Sequence, residues 1–244
     1  DLDIAICGNT VTSYAAPQFN MVIYRNDGAG GFELWATLPE VYQSAAWADV
    51  DGDTDLDFMI TGVKNNGTAT TTLYLQNADN TFTASAPMFE QLRFSDVHFF
   101  DCDNDGDMDV MLAGNASGCF TQLYINDGTG NYSVSVTSNF TALSSTPQIG
   151  STDVNNDGFL DLIILGEQCS LGFNCDVYLN NGAGQFALSQ TLPGDSGTKL
   201  ELIDMNNDGL DDILFSSQNS GTNGFSLIYY PNDGTGNFEI GSTN

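Results

Sequence analysis

The chain has very little positive charge. Only four of its 244 residues are basic, against 32 Asp and Glu, and the formal net charge is −28. Nucleic-acid phosphates require clustered Lys and Arg, so this deficit excludes nucleic acid as a partner. It also disfavours binding to anionic membrane surfaces. Such an excess of carboxylates opposes compaction by self-repulsion, which predicts that bound cations neutralise part of it.

Long apolar runs are also missing. No stretch reaches the roughly 18 apolar residues that a spanning helix needs, so no direct membrane insertion is expected. The sequence shows no initiator Met, signal peptide or lipidation motif. We therefore expect the chain to be a piece of something longer.

Histidine is nearly absent, which limits catalysis. The only His, His98, lies in an apolar run beside Phe99 and Phe100, where we expect a structural role. Without it no Ser-His-Asp or Cys-His set can be assembled. Paired carboxylates leave a glycosidase or polysaccharide lyase open as an alternative. Because calcium loops, described below, account for the clustered carboxylates, we predict that the chain is not an enzyme.

Cysteines are few, and their number is odd. The five are Cys7, Cys102, Cys119, Cys169 and Cys175, and they lack zinc-site spacing. Cys169 and Cys175 bracket a short loop between two strand-like runs. We predict a hairpin-closing disulfide between them, which suits an oxidising compartment. For Cys7, in an apolar run, a buried free thiol is equally expected.

Glycosylation sequons are the second indication of compartment. Four Asn-x-Ser/Thr sequons begin at Asn66, Asn115, Asn131 and Asn139. We place them on loops or exposed strand ends, which favours a glycosylated surface protein.

The chain repeats one unit of about fifty residues. Acidic segments begin at Asp49, Asp101, Asp153 and Asp204, which are 52, 52 and 51 residues apart, and a truncated copy opens the chain. A Tyr-x-Asn-x-Gly-x-Gly-x-Phe/Tyr segment recurs in phase, and its copy at Tyr74 has lost both glycines. We call its Asn-to-Gly part the glycine turn. Within a single domain spanning 1–244, the predicted repeats are 1–43, 44–94, 95–146, 147–197 and 198–244.

Each unit is predicted to contain four strands. One short run precedes each acidic segment, an apolar run follows it, a third run ends at the repeating Tyr, and a fourth begins after the glycine turn. Four strands in fifty residues are typical of a β-propeller blade. The sequence therefore predicts an all-β propeller of four-stranded blades. Five blades are visible, and the ring can be larger because the first copy lacks its opening strand.

The acidic segments predict metal loops. We number each loop from its first Asp: oxygen side chains occupy positions 1, 3 and 5, and position 9 is always Asp. Position 7 is Phe159 in the loop that begins at Asp153 and Leu210 in the loop that begins at Asp204. These two residues can bind a metal only through their backbone carbonyls. Oxygen-only ligation selects calcium, while magnesium takes fewer protein ligands. Solvated acidic turns are disfavoured because a turn does not need four oxygen positions at fixed spacing.

An EF-hand is excluded because position 12, such as Ile60, lies in a strand. Gly at position 6 permits a sharp turn, and Thr54 replaces it in the first complete loop. We predict about four calcium sites. The predicted ligands are Asp49, Asp51, Asp53, Asp55, Asp57, Asp101, Asp103, Asp105, Asp107, Asp109, Asp153, Asn155, Asp157, Phe159, Asp161, Asp204, Asn206, Asp208, Leu210 and Asp212.

The paired motifs resemble the FG-GAP/VCBS repeat, which forms the propeller of integrin α-subunits and of many secreted proteins. The resemblance covers essentially the whole chain. It implies a β-propeller whose acidic loops bind calcium structurally.

Function follows less directly from these motifs. We expect an extracellular, secreted or cell-surface adhesion or structural module that binds extracellular proteins or copies of itself. The alternative is a calcium-dependent lectin that binds glycans through exposed aromatics. Trp35 and Trp47 do not recur between repeats, and the repeating tyrosines are better interpreted as core. Part of a polysaccharide-degrading enzyme is the least favoured hypothesis.

Overall fold

The computed structural model describes residues 3–9, 19–38, 41–169, 171–219 and 224–239. In these ranges every regular element is a β-strand, and no helix there is long and apolar enough to cross a membrane. The strands are β1 (Ile4–Asn9), β2 (Phe19–Asn26), β3 (Phe32–Leu38), β4 (Val41–Ala48), β5 (Asp57–Lys64), β6 (Ala69–Gln76), β7 (Phe82–Ala84), β8 (Arg93–Phe100), β9 (Asp109–Asn115), β10 (Cys119–Asn126), β11 (Tyr132–Val134), β12 (Leu143–Thr152), β13 (Asp161–Gln168), β14 (Gly172–Asn180), β15 (Phe186–Pro193), β16 (Gly197–Ile203), β17 (Asp212–Asn219) and β18 (Gly224–Tyr230).

The strands form five antiparallel meanders, which we call units 1 to 5. Unit 1 is β1–β3, unit 2 is β4–β7, unit 3 is β8–β11, unit 4 is β12–β15 and unit 5 is β16–β18. A single pairing of Phe120 with Leu143 joins units 3 and 4 into one sheet. An isolated bridge between Asn232 and Phe238 stands where a fourth strand of unit 5 would begin. The predicted all-β class and its sheet repeats are confirmed.

The core lies between the units, in layers of interdigitated apolar side chains. In β9, Val110 and Leu112 pack in the layer shared with unit 2. Their neighbours Met111 and Ala113 point the other way, into the layer shared with unit 4. Strand alternation thus explains why this run is apolar at every position: both of its faces are covered.

Four of the five repeating tyrosines belong to this core, as predicted, and Tyr24 is half-buried. Tyr74, Tyr124, Tyr178 and Tyr230 are all buried. Two of their hydroxyls accept hydrogen bonds from linker backbone: Tyr124 from the N–H of Glu90 and Tyr178 from the N–H of Thr141, the latter at 2.9 Å. Each of these side chains packs its ring and uses its hydroxyl to hold the chain between units.

The first strands of units 2 to 5 lie next to one another and are tied by polar side chains. The carboxylate of Asp96 in unit 3 accepts hydrogen bonds from Ser44 of unit 2 and from the Ile149 N–H of unit 4. His98 Nε2 lies 2.9 Å from Ser151 Oγ. Burial lowers the pKa of His98 to about 4, with the charge of Lys199 as the second cause. His98 is therefore a neutral, hydrogen-bonded part of the packing between units 3 and 4.

The predicted disulfide between Cys169 and Cys175 is wrong. Cys169 bonds Cys119, with 6.2 Å between the Cα atoms, and this bond joins unit 4 to unit 3. Cys175 pairs with Leu165 inside the β13–β14 hairpin, and its side chain points into the core between units 4 and 5. Cys175 and Cys102 are free and buried, and burial raises the pKa of both thiols. The side chain of Cys7 lies outside the described residues.

Candidate metal centres

Each acidic loop connects the first and second strands of its unit and folds around its own first carboxylate. In unit 3, Asp101 Oδ1 accepts the N–H of Asp105 and Oδ2 accepts the N–H of Gly106, at 3.2 and 3.0 Å. The loops at Asp153 and Asp204 repeat both bonds. Backbone N–H groups thus curl toward position 1, which brings positions 1, 3 and 9 together.

Tight curling requires left-handed backbone at positions 4 and 6. In unit 3 these are Asn104 and Gly106, with φ of 60° and 95°. In unit 2 the glycine stands at position 4 instead of position 6. Gly52, at position 4, has φ 74°, and Thr54, at position 6, has φ 76°. A β-branched residue is strained in this region, whereas glycine is not.

Replacing Thr54 by glycine is expected to stabilise the protein by about 1 kcal/mol, because the relief of left-handed strain exceeds the added chain entropy of glycine. Chemical denaturation in chelator measures the effect apart from metal binding. The reverse change in the matched loop, Gly106→Thr, should destabilise by a similar amount. A loss of stability in Thr54→Gly would contradict this account of the loop.

Two of the loops assemble acidic triads. The carboxylates of Asp49, Asp51 and Asp57 each place an oxygen within 4.8 Å of the others. So do those of their equivalents in unit 3, which are Asp101, Asp103 and Asp109.

Position 3 of these two loops carries a buried oxygen that lacks a partner. Asp51 Oδ1 and Asp103 Oδ1 are buried and have no hydrogen-bond partner. Burial raises the pKa of both groups, and neighbouring carboxylates add to the shift. A buried, unpaired carboxylate oxygen facing two further carboxylates is costly alone and well suited to a hard cation. The residues in units 2 and 3 therefore fit the metal that the sequence predicts.

The loops of units 4 and 5 differ at position 3. Asn155 and Asn206 stand there, so position 3 of these loops offers an amide instead of a carboxylate. Each amide oxygen accepts the N–H of position 5, Asp157 or Asp208. In these loops the side-chain oxygen at position 3 therefore has a hydrogen-bond donor within the loop, whereas in units 2 and 3 one oxygen at position 3 has none.

The other predicted ligands occupy positions 5 and 7. In every complete loop the position 5 carboxylate accepts the N–H of position 7. These residues are Asp53, Asp55, Asp105, Asp107, Asp157, Phe159, Asp208 and Leu210.

The Asp at position 9 has a second role that sequence reasoning missed. Asp161 is fully buried; its Oδ2 accepts the N–H of Val154 at 3.0 Å, and its Oδ1 accepts the N–H of Asn180 at 2.8 Å. Burial raises its pKa to about 6. Asp57, Asp109 and Asp212 make the same pair of bonds. This carboxylate therefore joins the loop, the second strand and the end of the third strand.

The Asn of the glycine turn connects neighbouring units, which sequence reasoning also missed. Asn180 Nδ2 donates to the carbonyl of Cys102, at loop position 2 of the preceding unit, at 2.7 Å, and to its own unit at Leu160. Asn126 and Asn232 repeat the pattern. The sequence signal for this contact is the recurrence of the Asn in phase with the Tyr, a pattern that a turn alone also explains.

The second glycine of the turn fits against the same loop. A Cβ added to Gly184 would lie 3.0 Å from Cys102 Sγ, and one added to Gly130 would lie 3.5 Å from the Cβ of Asp51. The metal loops of units 2, 3 and 4 are therefore each covered by the glycine turn of the next unit. Order in a loop and packing between two units are physically coupled.

The two tryptophans are both engaged by neighbouring side chains. The Arg25 guanidinium lies 4.1 Å from the ring centroid of Trp35, and Phe82 packs 5.2 Å from the same ring. Trp47 packs against Phe58 at 4.4 Å. Both indoles are half-buried and line a shared cavity together with Gln76 and Asn80.

The predicted glycosylation sites lie at connections or strand ends. Asn66 is exposed in the turn between β5 and β6, and Asn131 and Asn139 are exposed on either side of β11. Asn115 is half-buried at the end of β9.

Comparison with known proteins identifies the repeat. The FG-GAP-like repeat model matches residues 49–112, 101–164 and 153–215, and each match begins at position 1 of a loop. No curated protein sequence matches the chain. A solved structure, that of the Photorhabdus luminescens Tc holotoxin pore with the TccC3-D651A mutation, aligns at 17% identity and a TM-score of 0.42. That alignment covers 100% of this chain and 12% of the other. The family matches together run from residue 49 to residue 215, and the chain belongs to the FG-GAP-like repeat family.

Proposed function

We propose that this chain is a calcium-stabilised β-propeller segment that acts as a protein-interaction module outside the cell. The observation that carries the proposal is the unpaired buried oxygen of Asp51 and of Asp103, each in an acidic triad beneath the glycine turn of the next unit. A cation there would organise a loop and, through it, the contact between two units.

Calcium is the cation that suits these triads. The side chains available are carboxylates alone, which are hard donors, and a flexible loop can supply the many oxygens that calcium takes. In unit 2 the residues that would hold it are Asp49, Asp51 and Asp57, and unit 3 offers the equivalent three. Bound calcium supplies positive charge, which relieves repulsion among carboxylates in a chain of net charge −28.

A disulfide bond and exposed glycosylation sequons support an extracellular setting. The bond between Cys119 and Cys169 requires an oxidising compartment to persist. Three of the four sequon asparagines are exposed. Millimolar calcium outside cells suits structural sites of modest affinity.

A role in binding rather than catalysis follows from how the polar groups are used. The single His is half-buried and paired with Ser151, and the clustered carboxylates hold loops together. A rigid array of stacked sheets offers a broad surface to extracellular proteins or to copies of itself. The propeller architecture is the closed form that such units adopt when enough of them stack around one axis.

Calcium is expected to raise the melting temperature markedly. A ligand at a hundred times its dissociation constant stabilises the folded state by about 2.7 kcal/mol per site, equivalent to about 5–10 °C for a domain of this size. Calorimetry in millimolar calcium and after chelation measures the shift. Asp103→Asn removes one buried charge from the unit 3 triad. In this variant the calcium-dependent rise in melting temperature should fall by about half.

Asp127→Asn is the matched control. Asp127 is an exposed aspartate of the unit 3 glycine turn and lies outside the triad, so this variant should keep the full calcium response. A melting temperature indifferent to calcium would remove the basis of the proposal. Glycan binding that disappears on chelation would instead favour the lectin alternative.

A further inference from the structure

The fourth strand of unit 2 is short, and a cavity lies where it ends. β7 has three residues, whereas β15 of unit 4 has eight and pairs with most of β14. In unit 2 the Ser85 N–H donates to the Leu73 carbonyl, and the chain then runs without strand pairing. It returns to β6 at Gln91, whose side-chain amide bonds the N–H and the carbonyl of Thr71 at 3.2 and 3.1 Å. A cavity of about 300 Å³, which we call the β6 cavity, lies between these two contacts.

The side chains of unit 2, rather than the length of its fourth strand, make this space. Unit 3 also has a fourth strand of three residues, β11. At the positions equivalent to Thr70 and Thr72, unit 3 has Phe120 and Gln122. The Phe120 ring packs against the core between units 2 and 3, and Gln122 Nε2 donates to the Ser135 carbonyl at 2.9 Å. Smaller side chains in unit 2 therefore open a space that larger ones occupy in unit 3.

The β6 cavity differs in charge from the rest of the chain. Lys64, at the end of β5, is the only charged side chain among the described residues that line it. The equivalent residue in unit 3 is Ala116. The chain as a whole has 32 acidic residues and four basic ones. A lining with one ammonium and no carboxylate thus offers a negatively charged ligand a place where the local field is favourable.

The other walls of the β6 cavity combine hydroxyls with apolar groups. The hydroxyl oxygens of Thr70 and Thr72 lie 3.2 Å apart and share one hydrogen bond, which uses one of their two hydrogens. The other hydrogen can be donated to a ligand. Pro87 and Met88 supply apolar surface on the side of the linker. A ligand that matches this lining carries a negative charge, hydroxyl groups and a small apolar part.

We propose that the β6 cavity binds an acidic monosaccharide, with its carboxylate on Lys64 and its hydroxyls on Thr70 and Thr72. A volume of about 300 Å³ is at the lower end for small-molecule sites and suits one sugar ring. The charge-assisted hydrogen bond from Lys64 selects for the carboxylate. The acidic loops contribute no residue to the described lining, so this site does not use calcium and the inference goes beyond the proposed function.

Titration of the isotope-labelled, calcium-loaded chain, followed by its amide chemical shifts, tests the site. The acidic probes are methyl β-D-glucuronide and N-acetylneuraminic acid. The neutral control is methyl β-D-glucoside, which has a hydroxymethyl group in place of the carboxylate of the glucuronide. At least one acidic probe should shift the amides of residues 70–72 and 84–91, and the neutral sugar should bind at least about tenfold more weakly.

Two lysine variants separate a local contact from the effect of net charge. Lys64→Gln should weaken binding of the acidic sugar at least about tenfold and leave the neutral sugar unchanged. Lys199→Gln is the matched control, because it removes the same charge at an exposed site in β16 outside the cavity. This variant should bind the acidic sugar as the unmodified chain does.

Three results would overturn the proposal. One is the absence of shifts at these amides with both acidic probes, and another is an equal loss of binding in the two lysine variants. The third is tighter binding of N-acetylglycine, a carboxylate without a sugar ring, than of either acidic sugar. The calcium-dependent rise in melting temperature, measured on the same samples, reports separately on the proposed function. A normal rise without sugar binding refutes only the assignment of the β6 cavity.

Discussion

Replacing Asp161 by alanine is expected to destabilise the protein by about 4 kcal/mol, because two buried N–H groups lose their only acceptor and a cavity remains. The donors are Val154 and Asn180, each bound to a different carboxylate oxygen. The loop of unit 4 has Asn155 at position 3 and no acidic triad, so this residue tests the structural role of position 9 apart from metal binding. Denaturant unfolding in chelator gives the free energy.

Asp157→Ala, at position 5 of the same loop, is the matched control. Asp157 is exposed and accepts the N–H of Phe159, a hydrogen bond that water can replace. The free energy of unfolding should therefore fall by less than about 1 kcal/mol. Asp161→Asn should fall between the two, since its amide oxygen can accept one N–H while its NH₂ opposes the other. Equal losses for Asp161→Ala and Asp157→Ala would show that position 9 is not the anchor of the unit.

Features set by local spacing could be predicted from sequence. The period, the strand order within a unit and the position of each loop follow from motifs that lie within about fifty residues of one another. The triad residues Asp101, Asp103 and Asp109 come from one short loop, and turn geometry brings them together whatever the neighbouring units do. Alternation along β14 would also have shown that Cys175 shares a face with Val177 rather than pointing toward Cys169.

Contacts between units could not be predicted in this way. The bond from Asn180 to the Cys102 carbonyl joins residues 78 positions apart, more than one period. A repeat gives the content of each unit but neither the side on which the next unit stacks nor which loop meets which turn. For the same reason the apolar pattern of Ile4 and Ile6 predicts burial, whereas these side chains are 40% and 50% exposed in the described structure.

The bond between Cys119 and Cys169 depends on this stacking most directly. It joins two residues that are 50 positions apart in the sequence. The backbone N–H of Cys169 also donates a hydrogen bond to the Ala142 carbonyl, next to the pairing of Phe120 with Leu143. Units 3 and 4 are thus held covalently at the position where their sheets merge. Constraint of a loop of this length in the unfolded chain contributes about 4 kcal/mol.

Cys119→Ser is therefore expected to lower the free energy of unfolding by about 4 kcal/mol, or roughly 8–16 °C in melting temperature. Cys169→Ser should have the same effect, and the double variant should be no worse than either single one because both remove one bond. Reductant should destabilise the unmodified chain to the level of Cys119→Ser and leave that variant unaffected. Peptide mapping without reduction should recover Cys119 linked to Cys169, and recovery of Cys169 linked to Cys175 would contradict the stacking of units 3 and 4.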